Sequence, residues 1–344
     1  MAALEAKSLV SVSDTKRTAG GKEVVLRVAA AAVLAPLGLW VVYAGGLPLL
    51  IATSLCAAVA AIEWTRMASR VTAKWPSIAL YLVMTTGAVL ATLAGARDLA
   101  SVALVALAMS ALVGWLTYLL QGATVSMMFG ALYVSLPFGA FVWIRELDPA
   151  GRQHLLAILG VVWATDIAAY FAGRGFGGPL LSPQDSPNKT WTGAIGAVVC
   201  AMLAGVAIGR VVGGELSSWM IASFVLSIVA QAGDLLESRF KRMYGVKDTS
   251  GVIPGHGGVL DRLDALMAGT LVAALFLRFM PGLPRRPSRL GDEDGPGACI
   301  HSWSDRLRRR IDARRCDSPA ERRPQIPGCR PHGQHQRRGA GRSR

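Results

Sequence analysis

Apolar residues dominate nine stretches of the chain, near 28–45, 47–64, 77–95, 99–120, 125–144, 154–173, 194–213, 218–235 and 264–281, with short polar breaks between them. Most reach the roughly 20 residues an α-helix needs to cross a bilayer core. The pattern predicts an all-α, polytopic integral membrane protein with about nine transmembrane helices. The count is least fixed at the short breaks Gly45-Gly46 and Gln121-Gly122. Charges are scarce from 24 to 145, where Glu63, at the end of the second stretch, is the main exception. They crowd instead into 231–264, which reads QAGDLLESRFKRMYGVKDTSGVIPGHGGVLDRLD. Charge this close to a bilayer is costly unless it pairs, binds ions or meets a charged substrate.

Four parts follow: a polar segment 1–23, transmembrane helices over 24–150, a catalytic transmembrane region over 151–281, and a tail over 282–344. With 52% hydrophobic residues the chain is too apolar for an ordinary soluble domain. The net charge of +14 invites a nucleic-acid partner, but its distribution argues against one. From Arg285 onward there are 16 Arg, no Lys and seven acids, so most of the excess lies in the tail. That tail, rich in Pro, Gly and Arg, reads as disordered. Its all-Arg composition also suits GC-rich DNA read in a shifted frame, or a basic arm for anionic lipid.

Lys and Arg in the body alternate between sides. Lys7, Lys16, Arg17, Lys22 and Arg27, then Arg66, Arg70 and Lys74, then Arg174 and Lys189, then Arg239 to Arg262 share one side. Arg97, Arg145, Arg152 and Arg210 share the other. The positive-inside rule puts the N-terminus and the charged cluster in the cytoplasm, as in a bacterial-type inner (plasma) membrane protein. Segment 1–23 lacks the pattern of a cleavable signal, so the first span is expected to be retained. Cys56, Cys200, Cys299, Cys316 and Cys329 show neither metal spacing nor a disulfide framework.

Within 231–264, Asp234 and Glu237 are three apart at a helix end, and so are Asp261 and Asp264 where the next helix begins. Spacing of i, i+3 puts each pair on one face. Facing each other, the pairs would give the oxygen-rich site that Mg²⁺ prefers, with water and phosphates completing it. Taken singly, these acids could equally cap helix ends. Arg239, Lys241, Arg242 and Lys247 lie between the pairs and suit a polyphosphate, or serve as membrane anchors. Gly255, Gly257 and Gly258 surround His256, so backbone amides there could cradle phosphate oxygens. His256 itself could donate to a phosphate, act as acid/base, or merely brace the loop. Lys189, in the preceding polar loop, could reach a phosphate, though the glycine frame of a P-loop is missing. Asp166, inside an apolar stretch, is either functional or an interhelical hydrogen-bond partner.

Ser238-Arg-Phe-Lys-Arg242, Lys247-Asp248 and Ile253-Pro-Gly-His-Gly-Gly-Val-Leu-Asp-Arg-Leu-Asp264 together resemble the signature of the phosphatidate cytidylyltransferases, or CDP-diacylglycerol synthases. Asp166-x-x-Ala-Tyr-x-x-Gly173 and Pro187-Asn-Lys-Thr-Trp-x-Gly193 support the likeness, which covers roughly 24–281. Two departures stand out. Thr192 occupies a position where the family usually has an acid. Gln184-Asp-Ser186 either interrupts the family run or precedes it, Ser186-Pro187 then being its start.

The resemblance implies that CTP and phosphatidic acid give CDP-diacylglycerol and pyrophosphate at the cytoplasmic side of the bilayer. By analogy it assigns metal binding to Asp234, Asp261 and Asp264, with Glu237 beside them. Lys189, Arg239, Lys241, Arg242 and Lys247 would neutralise phosphates, and Asp248 and His256 join this catalytic group. Ser238, Gly257, Gly258 and Arg262 belong to the signature, and Asn188 to the supporting segment. Mg²⁺ is the expected cofactor, with a second cation such as K⁺ left open, as is a homodimer. A CTP-dependent polyprenol or lipid-alcohol kinase is the competing enzyme, and a transporter of phosphate compounds the non-enzyme alternative.

Overall fold

The computed structural model describes residues 29–30, 32–70, 77–120, 124–147, 150–252 and 257–279. Segment 1–23, the tail 282–344 with its three cysteines, Lys74 and His256 lie outside the described residues. Nine helices appear among the described residues: α1 (Ala32–Ala44), α2 (Gly46–Ser69), α3 (Ile78–Gly95), α4 (Leu99–Leu119), α5 (Thr124–Glu146), α6 (Gly151–Phe176), α7 (Trp191–Val212), α8 (Leu216–Met243) and α9 (Leu260–Phe279). Seven of them, α2 to α8, are long and apolar enough to cross a membrane. The chain is thus an all-α, multi-pass membrane protein. Of the nine expected spans, α1 is shorter than those seven. Helix α9 is long enough at 20 residues, but Asp261, Arg262, Asp264 and Arg278 make it more polar.

One loop expected to be irregular is a hairpin. Strands β1 (Leu180–Ser182) and β2 (Ser186–Thr190) pair antiparallel between α6 and α7. Gln184-Asp-Ser186 falls at the turn and the start of β2, so those residues build the hairpin's bend. Thr190 then caps α7, its hydroxyl accepting the Gly193 N–H at 3.1 Å.

Helix α5 is the mast of the bundle. It packs on α2, α3, α4, α6 and α9, and 61% of its most apolar window is buried, against 22% for α7. Small residues allow this: a Cβ on Gly139 would stand 2.7 Å from the Ala91 carbonyl oxygen of α3. Large apolar side chains face outward, among them Leu104, Trp115, Ile167, Val199 and Leu203, as a lipid-solvated bundle requires. One core joins α2, α3 and α5 to Leu260 and Met267 of α9, so the two halves of the sequence share an interior. At the end away from the charged cluster, Arg145 of α5 donates to the Val42 and Tyr43 carbonyls of α1 at 2.9 and 3.3 Å. It thereby satisfies orphan carbonyls at that helix's C-terminus.

Candidate active site

The last turns of α8 carry Asp234, Glu237 and Lys241 on one face, because spacings of three and four residues stack side chains along a helix. The first turn of α9 carries Asp261 and Asp264 in the same way. The two faces meet. Lys241 Nζ lies 2.5 Å from Glu237 Oε2 and 3.0 Å from Asp261 Oδ1. The three side chains are 13%, 0% and 4% exposed, so this is a buried acid–base–acid bridge. Glu237 also lies within hydrogen-bonding reach of Asp261.

The hairpin brings in Lys189, which forms an ion pair with Asp234. Asp264 is buried, accepts the Ala265 N–H at 2.7 Å, and lies within electrostatic reach of Asp234, Lys189 and Lys241. Asp166 of α6 is exposed at the protein surface and within reach of Asp234 and Lys189. Seven sequence-selected residues from α6, β2, α8 and α9 therefore converge: Asp166, Lys189, Asp234, Glu237, Lys241, Asp261 and Asp264. Beside them Trp64 of α2 packs against Phe129, Tyr133, Phe240 and Tyr244. This aromatic cluster joins α2 and α5 to the end of α8.

Other selected residues sit elsewhere. Arg239 is exposed, two residues and so about 200° around α8 from both Glu237 and Lys241. Arg242 is exposed and ties α8 to the hairpin, its Nε donating to the Asp185 carbonyl at 3.4 Å. Lys247 and Asp248 are exposed in the turn after α8, Asn188 is exposed on β2, Arg262 is exposed on α9, and Ser238 is half-buried.

Lys241, which the resemblance gives to phosphate neutralisation, is held between two acids. Of the glycine amides that could cradle phosphate, that of Gly258 donates to Asp261 Oδ2 at 2.8 Å. Asp261 further accepts the Thr249 N–H at 2.9 Å. With Lys241 and two backbone amides on it, Asp261 organises the loop that precedes its own helix. Gly257 holds φ +88°, a conformation only glycine adopts without strain.

In sequence Glu63 is an isolated charge at the end of an apolar stretch. It is 1% exposed and reaches this loop from α2. Its carboxylate accepts the Ser250 hydroxyl at 2.5 Å, the Thr249 hydroxyl at 3.2 Å, the Val259 N–H at 3.0 Å and the Leu260 N–H at 2.8 Å. The available signal was an ionisable residue inside an apolar span, which calls for a partner by default. Thr192, at the position where an acid is usual, donates to the Gly177 carbonyl and lies 3.0 Å from the Thr190 hydroxyl. Its role here is to close the chain between α6 and α7.

A family model described as the cytidylyltransferase family matches residues 25–280. The chain belongs to the cytidylyltransferase family. A phosphatidate cytidylyltransferase of Brucella suis biovar 1 is 35% identical over 253 residues, 73% of this chain and 92% of its own length. One from Bacillus subtilis is 38% identical over 139 residues, 40% of this chain and 52% of its own. One from Staphylococcus saprophyticus is 40% identical over 129 residues, 37% of this chain and 50% of its own. All the residues that converge in the site lie inside the family match.

Proposed function

We propose that this chain transfers the cytidylyl group of CTP to phosphatidic acid, giving CDP-diacylglycerol and pyrophosphate, at the cytoplasmic face of a bacterial inner membrane. The observation that carries the reading is the convergence of Lys189, Asp234 and Asp264 at one end of a membrane bundle, in a chain whose relatives bear that activity's name. The side of the membrane rests on the Lys and Arg bias of the loops.

An oxygen of the lipid phosphate attacks the α-phosphorus of CTP. The bond to the bridging oxygen breaks, and that oxygen leaves with pyrophosphate. No covalent nucleophile is needed, because the attacking phosphate is already ionised. The chain's task is to bring two anions together and hold them in line. Lys189 remains 29% exposed within its pair to Asp234 and presents its charge to an incoming phosphate. Arg239 and Lys247, exposed around the same end, add to the attraction. Lys241 keeps Glu237 and Asp261 compatible at close range, and Asp261 keeps the loop in place.

The donor set suits a hard divalent cation such as Mg²⁺. It is made of carboxylate oxygens, the ligands such an ion prefers. Among the described residues no three such side chains stand close enough to hold a metal by themselves, so water and phosphate oxygens would have to supply the remaining ligands. Asp234 and Asp264 would hold the ion, with Glu237 behind them. Asp261 is already engaged by three donors. When bound, Mg²⁺ supplies Lewis-acid polarisation of the phosphates.

Labelled CTP tests the reading. Label at the α-phosphorus should enter lipid when phosphatidic acid is supplied, and chelation should stop transfer until Mg²⁺ returns. Transfer of γ-label to a polyprenol would instead establish the kinase.

A further inference from the structure

We infer that Glu63 is a positioning residue, which sets the loop between α8 and α9 and through it Asp261 and Lys241. The inference deepens the proposed cytidylyl transfer and rests on that reading. Glu63 lies on α2, which supplies none of the converging residues. Two of its partners, Thr249 and Ser250, follow α8, and two, Val259 and Leu260, open α9. One carboxylate thus clasps both ends of the connection. The hold passes on directly: Thr249 gives its hydroxyl to Glu63 and its N–H to Asp261, and Asp261 receives Lys241.

The clasp is rigid at its base and strong at its tip. Trp64, the next residue, is buried against Phe240 of α8 and Tyr244 just after it, and donates its Nε1–H to the Ser126 carbonyl at 3.0 Å. The first N–H groups of a helix have no partner within it and carry its positive end, so a buried carboxylate there is favoured twice. Gly258 is fitted to the same contact, since a Cβ on it would lie 2.8 Å from both Glu63 oxygens.

The division of labour on the carboxylate makes the idea testable. Oε1 serves the Ser250 hydroxyl and the Val259 N–H, and Oε2 serves the Thr249 hydroxyl and the Leu260 N–H. Glu63→Gln keeps the shape, but whichever way its amide turns, the NH₂ faces one hydroxyl and one backbone N–H. A hydroxyl can rotate away; a backbone N–H cannot. One amide at the start of α9 is then left facing a donor.

The full-length protein in nanodiscs should be compared as wild type, Glu63→Gln and the milder Ser250→Ala. Glu63→Gln should lower kcat by about tenfold with KM for CTP within about threefold, since the clasp touches no substrate. Amide exchange over 257–264 should rise by about tenfold, while α3 and α4 keep their protection. Ser250→Ala should move both readouts the same way by a smaller factor. A Glu63→Gln protein with wild-type kcat and wild-type exchange overturns the assignment. So does faster exchange spread evenly over all helices, which would mark a general structural role. Wild-type protein inactive toward CTP would refute the reaction instead, and the exchange comparison would still decide the role of Glu63.

Discussion

Replacing Lys241 by Met removes the cation from between two buried acids and leaves the stem's volume filled. Glu237 is fully buried and Asp261 is 4% exposed at the side chain, so water cannot take over from the ammonium group. Removing one partner from a buried ion pair costs about 3–5 kcal/mol, because the remaining charge stays desolvated and uncompensated. Here two carboxylates are left facing each other, which places the cost at the upper end of that range. For a domain of this size each kcal/mol moves the melting temperature by about 2–4 °C, so a fall of about 10 °C or more is expected. Tryptophan fluorescence during thermal unfolding in detergent, at one fixed scan rate, reads the shift. Adding Glu237→Gln to Lys241→Met should return part of the loss, because it removes one of the two opposed charges. A melting temperature within about 2 °C of wild type in Lys241→Met would refute the bridge as a stabilising element.

Two further substitutions separate stability from activity. Lys189→Met breaks a partly exposed ion pair, so unfolding should change by less than about 1 kcal/mol while transfer from CTP falls by about tenfold or more; equal activity in a radiolabel assay would remove Lys189 from the phosphate site. Gly258→Ala drives a Cβ into the Thr249 hydroxyl and the Glu63 carboxylate and should cost about 1–3 kcal/mol, read as a lower melting temperature; an unchanged value would mean that the loop yields freely.

The membrane helices were legible because hydropathy is a local property. The exceptions are physical. Expected to end near 235, α8 runs on to Met243 because Glu237 and Lys241, four apart, support a helix that hydropathy no longer detects. The hairpin was hidden by Pro183, Pro187 and Asn188, residues that seldom favour strands. The acid pairs and Lys189 were legible from spacing and charge density. What each carboxylate does was less so: Asp261 looks like Asp264 in sequence, yet among the described residues it is Asp261 that accepts the loop amides of Thr249 and Gly258. Glu63 meets partners 186 to 197 residues away, and no local pattern encodes such a contact.

The length of α8 has a consequence for how a lipid would be met. Its 28 residues extend about 42 Å, whereas a bilayer's hydrocarbon core spans about 30 Å. Counted from Leu216, about 20 residues fill that core, so Glu237 and Lys241 ride on the surplus and Asp234 lies at the core's edge. A phosphate carried by a membrane lipid already travels at that depth. The encounter then becomes a search in two dimensions, with no lipid pulled from its leaflet, and the product is released at the level where it was made.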